Sequence, residues 1–194
     1  NIVGYNNPYN ITDERRKELV EFLMNCPARK DGISNEEFMS LLGIDTVGIR
    51  NEIDQSWEEA VQYFMPLNLA EICFLNSIVQ FQFLPKAQKE DSNEDLFLLK
   101  KVLGVIFEVT WRKLKEKKKL FTIADRTTKN LLVREGHAYI LYTDLFKYQG
   151  KFDYVEINGE EELKNLISKT NAKAIVVTDG PSHPAIIPIP QENN

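Results

Sequence analysis

The stretch from Leu67 to Leu84 constrains the fold more than any other part of the chain. Leu67, Leu69, Ala70, Ile72, Cys73, Phe74, Leu75, Ile78, Val79, Phe81, Phe83 and Leu84 are apolar. Asn68, Glu71, Asn76, Ser77, Gln80 and Gln82 recur between them at steps of roughly three to five residues, which places them on one narrow stripe of a helix that is apolar on its other sides. Such a helix has to be covered from several directions and predicts the centre of a core. Pro66 suits a first-turn position and Pro85 a helix exit, giving about 18 residues and roughly 27 Å of helix. That length approaches a membrane span. One Glu, two Asn and two Gln would be costly in hydrocarbon, however, and no basic flank orients the segment, so a helix buried in protein is predicted and no membrane partner.

A second long helix is predicted from Glu94 to Lys118, after the polar loop Lys86 to Asn93. Ser92 or Asn93 can cap it, and Glu94 and Asp95 put negative charge in its first turn. Leu96, Leu99, Val102, Leu103, Ile106, Val109 and Leu114 keep a helical period, with Lys100, Lys101, Glu108, Arg112 and Lys115 assigned to the other face. Glu108 precedes Arg112 by four residues, the favourable order for a helix ion pair. The two helices are predicted to pack antiparallel as a helical hairpin.

Ahead of this hairpin, Thr12 or Asp13 can cap a helix running to about Asn25, with Leu19, Val20, Phe22, Leu23 and Met24 on its buried side. Ser34 and Glu37 make a capping-box pattern that opens a helix through Phe38, Leu41 and Leu42, stopped by Gly43. A further helix is predicted through Val47, Ile49, Ile53, Trp57, Val61 and Phe64. The turn between these two helices gives the order of a helix-turn-helix unit. A reader of DNA would use Arg50 and Asn51 at the start of the third helix, though Asp45, Glu52, Asp54, Glu58 and Glu59 would repel phosphate.

From Leu120 the period changes to alternation with β-branched residues. Strands are predicted at Leu120–Ala124, Leu131–Arg134, Ala138–Thr143, Phe152–Ile157, Ala172–Thr178 and Ala185–Ile189, with a short amphipathic helix at Glu160–Ser168. Val155 to Val177 has the length of a βαβ unit, and Pro188 and Pro190 place the last strand at a sheet edge. The strand–helix–strand–strand order is similar to half of a CBS-type nucleotide-sensing module, without its closing helix or a diagnostic residue, and no family is assigned on it. The expected fold class is therefore α+β: an N-terminal helical bundle with two long apolar helices over residues 1–119, then a C-terminal mixed sheet with one crossing helix over residues 120–194, the halves sharing a core.

The chain's 194 residues, 43% hydrophobic and 27% charged, are ordinary for a soluble globular protein, and a net charge of −5 does not favour non-specific nucleic-acid binding. Cys26 and Cys73 form no CxxC pair and read as buried thiols of a reducing, cytoplasmic setting. Asn1 to Asn10 is polar and carries no signal-peptide pattern, and a chain that opens on Asn1 rather than Met predicts a piece of a longer protein.

Catalytic residue types are scarce. His137 stands at a strand entrance and reads as an exposed turn residue. His183 lies in the loop Asp179 to Pro184, where Asp179 could orient it for ligand binding or hydrolysis, but Ser182 is too close in sequence for a triad. Neither phosphate-cradling glycine motif is present, and no metal-ligand spacing is found, so no cofactor and no metal are expected. Asp125 to Lys129 is a polar hairpin loop able to bind an anion. The run Arg112 to Lys119, with Lys113 and Lys117, is the one concentrated basic patch and could touch nucleic acid. Tyr139, Tyr142 and Tyr148 are candidate outward-facing anchors for a partner. The resulting expectation is a non-enzymatic, regulatory interaction module with a protein partner. A helix-turn-helix nucleic-acid binder comes second, and a small-ligand or hydrolytic domain built on Asp179 and His183 third.

Overall fold

The computed structural model describes residues 11–26, 55–91, 93–142, 152–178 and 184–189. Within them the chain is α+β. Helices α1 (Asp13–Met24), α2 (Gln55–Phe64) and α3 (Leu69–Ile78) come first, followed by a π-turn (Val79–Phe83), α4 (Leu84–Lys89) and the long α5 (Asn93–Glu116). The sheet strands are β1 (Lys119–Asp125), β2 (Val133–Arg134), β3 (His137–Leu141), β4 (Phe152–Asn158), β5 (Ala174–Thr178) and β6 (Ala185–Pro188), with α6 (Gly159–Thr170) between β4 and β5. The Ser34–Glu37 capping box, the helix it opens and the start of the predicted third helix lie outside the described residues.

Local chemistry explains where the elements start. Thr12 caps α1, its hydroxyl accepting from the Arg15 amide at 3.1 Å. Asn68 and Glu71 form a reciprocal capping box, with the Glu71 amide on Asn68 Oδ1 at 2.9 Å and the Asn68 amide on Glu71 Oε1 at 3.1 Å. This moves the helix start from the predicted Pro66 to Leu69. Pro66 stays in the turn after α2, because two paired amides outweigh a proline merely tolerated at a first turn.

Pro85 was predicted to end the helix and does not. The Leu84 amide bonds to the Val79 carbonyl, five residues back, through the π-turn. A proline in a regular helix lacks an amide and collides with the carbonyl four residues earlier. The widened turn just before Pro85 relieves both problems, so the chain coils on to Lys89.

α5 packs against α2, α3, α4 and α6. It is enclosed more fully than its pattern suggested: Lys101, assigned to the solvent face, is 1% exposed, and Val102, Val105, Ile106 and Val109 are at 0%. Met24, predicted to be buried on α1, is instead 48% exposed. Among the described residues no single helix is long and apolar enough to cross a membrane. The apolar α3 spends its hydrophobic surface on the core, where Ile72 and Leu75 are fully buried.

The sheet order is β4-β1-β3-β5-β6, with β2 also pairing β3. β3 and β5 are parallel and the other pairings are antiparallel. β2 and β3 are joined by Glu135 and Gly136, whose φ values of 53° and 81° match the two-residue turn that suits the twist of a hairpin. The β4–α6–β5 segment does not join neighbours. β4 and β5 run the same way, but β1 and β3 lie between them. The predicted edge position of the last strand holds. Ile189 donates to the Lys173 carbonyl at 2.9 Å, so by alternation the backbone groups of Ile186 and Pro188 point away from β5. Pro188 thus loses no ladder bond, and Gln80 Nε2 occupies the outward Ile186 carbonyl at 3.2 Å.

Alternation gives the sheet two faces. Leu120, Ala138, Ile140, Tyr142, Ile157, Ile175, Val177, Ala185 and Ile187 join Leu19, Leu23, Phe64, Ile72 and Ile106 in one cluster under the helices. That cluster draws on both sides of residue 119. Phe121, Ile123 and Leu141 form a second, smaller cluster on the opposite face.

Candidate functional site

On the sheet face opposite the described helices, aromatic side chains gather around the smaller cluster. β4 pairs with β1 in unbroken register from Lys119↔Asn158 to Asp125↔Phe152, which sets Ile123 opposite Tyr154. The same register lets Phe121 meet Tyr154 diagonally, with ring centroids 6.2 Å apart and planes at 84°. Around Phe121, Ile123 and Leu141 stand the half-buried Leu132, Tyr139, Phe152 and Tyr154. Tyr139 is held on β3, and its carbonyl accepts the Thr122 hydroxyl at 2.7 Å. Of the three tyrosines predicted to face outward, Tyr139 is half-buried on this face. Tyr142 is 4% exposed and turned into the helix-side core, because it has the parity of Ile140 rather than that of Tyr139. It cannot serve as a surface anchor. Tyr148 lies outside the described residues.

Next to Phe152 and Tyr154 in sequence but of opposite parity on β4, Asp153 holds two cations, Arg126 at 2.9 Å and Lys129 at 3.6 Å. Asp125 Oδ1 accepts the Thr127 and Thr128 amides, each at 2.8 Å, closing the hairpin loop on itself. The loop's cations and its amides are therefore engaged within the chain.

Two cations of the basic patch at the end of α5, Arg112 and Lys113, are engaged within the chain, while Lys115 and Lys118 are exposed. Arg112 grips Glu58 with two nitrogens, at 2.7 and 2.8 Å, and Glu108 with a third at 3.1 Å. Its guanidinium keeps the Glu58 carboxyl at a pKa of about 2, with help from Gln62. The two acids push the Arg112 pKa up. Lys113 donates to the Met65 carbonyl at 2.7 Å, and burial lowers its pKa. Lys117 is half-buried. Arg50 and Asn51 lie outside the described residues, as do Asp179 and His183. His137 is half-buried at the head of β3, paired with Arg134. Among the described residues no group of three His, Cys, Asp or Glu side chains could hold a metal ion.

Three features escaped the sequence reading. Phe81 is 58% exposed on the π-turn, although its apolar neighbours promised a buried place. Asn76 is fully buried, with neither carboxamide atom hydrogen-bonded. Glu58 is the partner of Arg112 from another helix. Only the last had a usable signal, an unpaired acid on α2 facing a basic helix end. No family model, curated protein or solved structure matches the chain.

Proposed function

We propose that the chain is a non-enzymatic interaction or regulatory module whose partner is a protein, bound on the sheet face opposite the described helices. The observation that carries this reading is the group of half-buried aromatic side chains, Tyr139, Phe152 and Tyr154, around the cluster of Phe121, Ile123 and Leu141. Tyrosine and phenylalanine supply large contact area at low entropic cost, and hot spots of protein interfaces are rich in such anchors. The nucleic-acid reading has less to draw on, since Arg112 and Lys113 are committed to Glu58, Glu108 and Met65. It would rest on Arg50, Asn51 and Lys117. The ligand reading would rest on Asp179 and His183.

The test is co-purification from native extract at low and high salt, followed by reconstitution with the purified partner. A protein retained at high salt by the wild type, and lost from a folded Tyr139→Ala variant, is the expected result. Nucleic acid released by salt, or retention indifferent to Tyr139, would overturn it.

A further inference from the structure

We draw no further inference here: the strongest candidate, the exposed surface strip of Phe81, Pro85, Lys86 and Lys89 along the π-turn and α4, presents a single large apolar side chain beside two lysines, and nothing among the described residues shows what covers it.

Discussion

The two faces of the sheet are made by the same strands and carry clusters of very different size. Under the helices, Ile140, Ile175, Val177 and Ile187 are all at 0% exposure and pack with residues from α1, α2, α3 and α5. On the other face, Leu141 and Ile123 are covered to a similar degree, but their ring of Leu132, Tyr139, Phe152 and Tyr154 is only half-buried. Residues one position apart therefore belong to different environments, Ile140 to the large cluster and Tyr139 to the half-buried ring around the small one. One face holds the fold together. The other carries a ring of half-buried aromatic side chains.

The sharpest way to test this contrast is to truncate neighbours on β3. Ile140→Ala removes a fully buried side chain from the large cluster and is expected to cost about 2–5 kcal/mol in denaturant unfolding. Leu141→Ala is expected at the lower end, about 2–3 kcal/mol, because it belongs to the much smaller cluster. Tyr139→Ala should cost about 1 kcal/mol or less and yet abolish partner retention. A Tyr139→Ala loss as large as that of Ile140→Ala would erase the distinction between the faces.

Charge on the outside of the helical layer gives the smallest effect. Glu58 is a half-exposed carboxylate in an ion pair, so Glu58→Gln is expected to cost at most about 1 kcal/mol at neutral pH. The sign of its pH dependence follows from its folded pKa of about 2, which lies below the usual carboxylate range. The stabilisation is complete above the unfolded pKa and disappears as pH falls towards the folded one. Wild type and Glu58→Gln should thus converge in stability as the solution is acidified. A gap that stays constant from neutral pH down to the acid range would show that Glu58 acts through packing rather than charge.

Much of the element order was legible. Alternation and β-branching located β1, β3, β4, β5 and β6 to within two residues, and the three acids at Glu160 to Glu162 marked the start of α6. These signals are local, since they depend on side-chain period and on caps made within one turn. The Pro85 reading failed because a proline's effect depends on the hydrogen-bond register upstream of it, and a π-turn has no pattern of its own in the sequence. The site was less legible than the fold. Tyr139 and Tyr142 look alike in sequence, and only strand parity against the helical layer buries one and leaves the other part-exposed.

What the residues determine by themselves is the α+β class, the apolar helix around Ile72 and Leu75, the edge position forced on β6 by Pro188, and the capping of α1 by Thr12. Each follows from backbone chemistry or from a period that holds in any packing. The placement of β1 and β3 between β4 and β5, the burial of Lys101 and Asn76, and the pairing of Arg112 with Glu58 come from tertiary structure. These depend on which surfaces meet across long stretches of chain, and no local period encodes that choice.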